Sequence, residues 1–402
     1  MNTKNTVLAL KGKCQNYQWG GLTYIPQLLG IRNEKQEPFA EYWLGAHNNA
    51  PALLPDGEAL NHFFEQHPEG LGEQTQKSFG RLPYLLKVLD VKDMLSIQVH
   101  PNKKAALEEF DRENRAGIAL NHPSRNYKDD NHKPELMTAL SDFWLLHGFL
   151  PPAQLKANLQ EVPEFSLMLP VFANGNYKAL YEMLMTMEQS RVNEVLQPLL
   201  ARIVPQYRAG VLDKMKPAFW AARAALTFNA PDQVDRGIFS IFLFNIVFLR
   251  KDEAVFQDAG ILHAYLEGQN VEIMANSDNV LRGGLTPKHI DVKELMKHVL
   301  FEPVVPNIIH GQPVNDKEAV FLTPAPDFEL SKILLTTGKT YDLQTTAADI
   351  FLVLDGAMTV ESGAGEQLFA RGQAFLAASG SKCSLKANKD TVVYRATVPQ
   401  QG

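Results

Sequence analysis

A mainly β chain interrupted by a helical segment is the fold class that the sequence predicts. Three observations carry it. Short alternating apolar runs, parted by Gly, Pro and Asn, fill the stretch up to Gly148. Helical periodicity takes over between 151 and 228, and strand patterning dominates the C-terminal end. With 402 residues, 45% hydrophobic and 21% charged, the chain is long enough for about two or three globular domains that need no disulfide support.

The elements follow in order. From Val7 the runs read as strands, with one helix from Asn102 to Ala116, rich in Ala, Leu, Glu and Lys. Leu180, Met183, Leu184 and Met187 repeat at helical spacing, as do Val192, Val195, Leu196 and Leu199. Pro205 and Pro217 are expected to punctuate these helices. Strands return at Gly237, and His289 to Val299 reads as a helix. Near the end, Phe351 to Leu354, then Asp355-Gly356, then Ala357 to Val360 predict a hairpin with a type I′ turn. The expected organisation is one β unit from 1–150 and 229–317, a helical insertion at 151–228, and a second β unit at 318–402.

Charge and cysteine usage exclude several classes. The formal net charge is −6, which disfavours nucleic acid and anionic membrane as partners. A phosphorylated ligand would need a local basic pocket. Cys14 and Cys383 are too few for a disulfide framework or a thiolate zinc site, and they suit a reducing, cytoplasmic setting. Met1 to Asn5 is followed by no long apolar run, so no signal peptide is expected. The apolar stretch Ile238 to Leu249 is broken by Ser240 and Asn245 and is too short to span a bilayer.

The most informative stretch is Met94 to Pro101. Read as a strand, it sets Leu95, Ile97 and Val99 on one face and Ser96, Gln98 and His100 on the other. Such a polar row either faces water or finds a partner, and a metal would serve Gln98 and His100. Asn131-His132-Lys133-Pro134-Glu135 adds a carboxylate, and Gly260-Ile261-Leu262-His263 adds a second imidazole after a glycine turn. Two His, a Glu and a Gln oxygen form a mixed N/O set that Zn²⁺, Mn²⁺ or Co²⁺ would accept. His62, His67, His147, His298 and His310 read as surface or satisfied core residues.

These segments resemble the type I phosphomannose isomerases over most of the chain. The resemblance runs through Gln15 to Gly20, Glu41 to His47, Leu82 to Leu89, Ser96 to Lys103 and His132 to Glu135. It closes on the long polar string Glu272 to His289. It implies a cupin-type jelly-roll catalytic barrel, a helical domain and a second C-terminal β-barrel. It also implies one zinc per chain held by Gln98, His100, Glu135 and His263. Arg282 falls on the family's active-site arginine. Lys87, Ser96, Lys133, Glu272, Asp278 and Lys288 fall on pocket positions, and Trp19 belongs to the first motif. The implied reaction interconverts mannose 6-phosphate and fructose 6-phosphate through an enediol. Glu272, Asp278, His132 and Lys133 stay open as the base, and no obligate protein partner is expected. Two departures stand out: His47-Asn48 where the family reads His-Pro, and Asp258 in place of a proline. They leave open an isomerase of another sugar phosphate, or a non-catalytic sugar-phosphate-binding cupin. A zinc hydrolase is disfavoured because no His-Glu-x-x-His helix is present.

Overall fold

The computed structural model describes residues 7–399; the start at Met1 to Asn5 lies outside the described residues. The chain is mixed, with more strand than helix. Its strands pair antiparallel in sheets of seven, eleven and four strands.

The eleven-stranded sheet carries the chemistry because its strands alternate. Tyr84–Val91 pairs with His263–Ala275, which pairs in turn with Glu135–Ala139. On one face, Leu86, Val88, Leu136, Val271 and Ile273 join an apolar core shared with Leu330, Ile350, Leu352 and Leu376 of the seven-stranded sheet. On the other face stand Lys87, Glu135 and Glu272, each flanked by those apolar neighbours. The strand His263–Ala275 serves two parts of the sheet. Residues 268–275 pair with Tyr84–Val91, while His263 to Glu267 pair with Phe143–Phe149. The change comes at a register shift between Tyr265 and Glu267, followed by Gly268 at φ +128°. A Cβ there would meet Asp142 O at 2.6 Å, so only glycine fits.

Several sequence expectations need correcting. The stretch Met94 to Pro101 is mostly irregular; only Gln98–Val99 is a strand. Ile97 and Val99 do face the core, but Leu95 lines the cleft beside Ser96 and Gln98. Gly237–Leu243 is a buried helix rather than a strand, and the strand begins at Phe244. Pro205 lies inside the helix Gln189–Arg208, while Pro217 opens Pro217–Phe228 as a first-turn proline. Asp349–Asp355 and Ala357–Ser362 do not pair with each other. The first belongs to the seven-stranded sheet and the second to the four-stranded one. Gly356, at φ +85°, turns the chain from one layer to the next. Apolar side chains of both layers, among them Phe351, Val353, Met358 and Val360, fill the space between.

Other elements fall where expected. Lys103–Arg115 is helical, with the Asn102 side chain accepting from Ala105 N. Tyr177–Thr186 and Gln189–Arg208 bury the apolar stripes named above against Trp220 and Phe239. The first strand, Val7–Leu10, pairs with Ala374–Ala377 and so extends the seven-stranded sheet.

Tyr84 ties the two large sheets together: its buried hydroxyl donates to Ala348 O (2.7 Å) and lies 3.0 Å from Ala396 O. Tyr84→Phe is expected to cost about 1–3 kcal/mol, read as a lower urea midpoint. An unchanged midpoint would show that this hydroxyl is not a link between the layers.

Candidate metal centre and cleft

Six strands and the loops between them converge on a cleft of about 780 Å³. A cross-strand row runs from its mouth into the core. Arg282 pairs with Gln98, Gln98 with His263, and His263 with His147, so all four side chains leave the same face. Across from this row stands Glu135, which pairs with Gln257.

The imidazole tautomers are fixed by geometry. His100 Nδ1 is 2.7 Å from Asn279 O, and His263 Nδ1 is 2.9 Å from Ile261 O. A carbonyl only accepts, so both Nδ1 atoms carry a proton, which leaves Nε2 of each ring, when neutral, with its lone pair. These lone pairs face the Glu135 carboxylate at 3.5 and 3.3 Å. His100 Nε2 is buried and has no hydrogen-bond partner. Burial pushes the His100 pKa down to about 4, against the pull of Glu135. Burial also opposes ionisation of Glu135, but the neighbouring Lys133 ammonium holds it well below the usual carboxylate range. Two neutral imidazole lone pairs against an anion repel unless a cation lies between them. The residues present therefore fit a divalent metal. His100, Glu135 and His263 offer three ligand atoms within 4.8 Å of one another, and Gln98 stands beside His263.

The adjoining wall is charged and buried. Lys87 Nζ lies 3.1 Å from Glu272 and 3.6 Å from Glu41, above the Trp43 ring. Burial alone would lower its pKa, but Glu41 and Glu272 raise it, so Lys87 stays an ammonium. Glu272 has both oxygens engaged, by Lys87 and by the Tyr265 hydroxyl at 2.7 Å. Asp278 accepts from His47 (3.2 Å) and Asn49 (3.3 Å); despite partial burial, the His47 hydrogen bond lowers its pKa. At the mouth, burial lowers the pKa of both Arg282 and Lys288, and Arg282 further lowers that of Lys288. Neither cation has a carboxylate partner among the described residues.

Of the residues singled out in the sequence, Trp19, Lys87, Ser96, Gln98, Lys133, Glu135, His263, Glu272, Asp278, Arg282 and Lys288 all line the cleft. His100 sits just behind them, fully buried. His132 does not line it: its Nε2 is 2.8 Å from Asp327 in the C-terminal part. His147 is a satisfied core residue, bonded through Nδ1 to Gln257. Sequence reasoning missed Glu41, Tyr265 and His47 as site residues. Glu41 and His47 lie within the quoted string Glu41 to His47, but only strand register shows what they touch.

Comparison with known proteins settles the family. A model of the type I phosphomannose isomerase catalytic domain matches residues 7–152. The mannose-6-phosphate isomerase of Escherichia coli (strain K12) is 36% identical over 386 residues, covering 92% of this chain and 95% of that protein. The chain belongs to the type I phosphomannose isomerase family. The mouse mannose-6-phosphate isomerase is 32% identical over 97% of this chain and 98% of its own. The Salmonella typhimurium enzyme, solved bound to its substrate f6p and zinc, superposes with a TM-score of 0.87. It is 31% identical, over 98% of this chain and 100% of that one. The departure from the family pattern at Asp258 is locally accommodated, since its side chain accepts from Ala259 N at 2.7 Å. Gly260, at φ +82°, then completes the turn that delivers His263.

The buried His147 makes a pH-dependent contribution. Burial lowers its pKa from 6.5 to about 4, so on acidification the unfolded chain takes up the proton first. Stability from this group is therefore present above about pH 6.5 and drains away between there and about pH 4. In metal-free protein, the stability gap between parent and His147→Gln is expected to shrink over that window. The change is on the order of 3 kcal/mol, followed by urea unfolding. A gap independent of pH would mean that the fold does not depress the His147 pKa.

Proposed function

We propose that this chain is a zinc-dependent aldose–ketose isomerase interconverting D-mannose 6-phosphate and D-fructose 6-phosphate. The carrying observation is the buried cluster of His100, Glu135 and His263, with both Nδ1 atoms held by carbonyls, in one cleft with two cations that have no carboxylate partner among the described residues. When bound, zinc would act as a Lewis acid on a sugar oxygen, held by Gln98, His100, Glu135 and His263.

The chain's own residues account for the rest. Arg282 and Lys288 receive the phosphorylated, anionic substrate and the negative charge of the enediolate. Lys87 is held as an ammonium by Glu41 and Glu272 and adds fixed positive charge to the wall. A proton leaves C2 of the aldose and returns at C1, while a hydroxyl proton passes between O2 and O1, with no net oxidation. Asp278 is the base that the geometry favours, because it is ionised and borders the cleft. Glu272 is buried against Lys87 and the Tyr265 hydroxyl, whereas the Asp278 side chain is 37% exposed, and His132 is turned to Asp327. Lys133, 3.2 Å from Glu135, and Ser96 complete the polar lining.

We further assign 1–150 with 229–317 to a cupin-type jelly-roll unit and 151–228 to a helical insertion. We assign 318–402, of which residues up to 399 are described, to a second barrel without metal ligands, to which Val7–Leu10 contributes a strand. The two free thiols and the lack, among the described residues, of any helix able to cross a membrane support a cytoplasmic enzyme.

Stripping the purified protein with a strong chelator is expected to abolish mannose 6-phosphate isomerisation in a coupled assay, and added zinc to restore it. Full activity in protein shown to be metal-free would exclude the Lewis-acid role. Arg282→Ala is expected to lower kcat by about 100-fold or more, with a smaller change in KM. If KM alone rose, Arg282 would be a binding residue without a share in the chemistry.

A further inference from the structure

We propose that Asp129 is a positioning residue for the metal site, acting through Asn279 on the ligand His100. The inference rests on the zinc site proposed above and adds a residue to it that touches neither metal nor cleft ligand.

The Asp129 carboxylate grips the loop that follows the long strand. Its Oδ1 accepts from Ser277 Oγ (2.7 Å) and Asn131 N (2.9 Å), and its Oδ2 accepts from Asp278 N (2.7 Å). Its backbone continues the grip: Asn279 Nδ2 donates to Asp129 O (2.8 Å) and to Asn131 O (2.9 Å). In return, Asn279 Oδ1 accepts from Lys128 N at 2.7 Å. Asn279 is fully buried, and every polar atom of its side chain is used. The residue so clamped presents its carbonyl to His100 Nδ1 at 2.7 Å. That contact fixes the tautomer that turns His100 Nε2 toward Glu135. The same loop carries Asp278 and leads into Arg282. The Asp129 carboxylate, which also lies 3.3 Å from Asn279 Nδ2, and the Asp129 backbone therefore together hold the segment that orients a metal ligand and carries the candidate base.

Asp129→Asn replaces one acceptor oxygen by a donor and disrupts the grip at unchanged size. Zinc affinity, measured by competition with a chelating indicator, is expected to weaken by about 10–100-fold. At saturating zinc, kcat is expected to stay at least about tenfold below the parent. Asp129→Ser, which shortens the side chain and removes the carboxylate, carries the same test if Asp129→Asn does not fold; zinc binding weaker by about tenfold or more is again expected. A purely structural role would lower the melting temperature of the metal-free protein and leave zinc affinity within about twofold, which would overturn the inference. A parent protein that binds no zinc at all would overturn the proposed site itself, and this inference with it.

Discussion

The constraint on which the site depends is the burial of Glu135 between two imidazole nitrogens that can only accept. Both Nδ1 protons are committed to carbonyls, at Asn279 and Ile261, so neither ring can turn a donor toward the carboxylate without being charged. Burial makes charging His100 expensive. An anion facing two lone pairs in a dry interior is unfavourable without a cation. Everything around the site serves to hold that arrangement until a metal completes it.

The surrounding charges are consistent with an anionic substrate. Three carboxylates, from Glu41, Glu135 and Glu272, are buried with the ammonium groups of Lys87 and Lys133. A divalent ion would reverse the sign of that group. Arg282 and Lys288, which have no carboxylate partner among the described residues, then extend positive potential to the mouth. This local field sits in a chain whose formal net charge is −6. It gives a phosphorylated sugar a specific place without general affinity for polyanions.

Much of the site was legible in the sequence, and the reason is physical. Gln98, His100, Glu135 and His263 stand in polar or glycine-marked strings where an apolar strand would otherwise run, and such interruptions are costly unless used. The polar string Glu272 to His289 likewise exposed Asp278, Arg282 and Lys288. What escaped was pairing. Glu41 and Tyr265 matter because register sets them beside Lys87 and Glu272, and no local pattern encodes that. Asp355-Gly356 has the chemistry of a tight hairpin, yet the flanking strands part into separate layers because each finds a better apolar partner across the core. Gly237–Leu243 is apolar on all sides, so its period could not separate a buried helix from a strand. Pro205 reads as a break in the sequence, but a long helix packed along its Val192 to Leu199 stripe carries it within its last turn.

The most direct test is a crystal of the purified protein examined at the zinc absorption edge. The account expects one anomalous peak at about 2.0–2.2 Å from His100 Nε2, His263 Nε2, a Glu135 oxygen and the Gln98 oxygen, open toward Arg282. A peak elsewhere, or zinc-replete protein with Glu135 still facing two bare imidazoles, would contradict it.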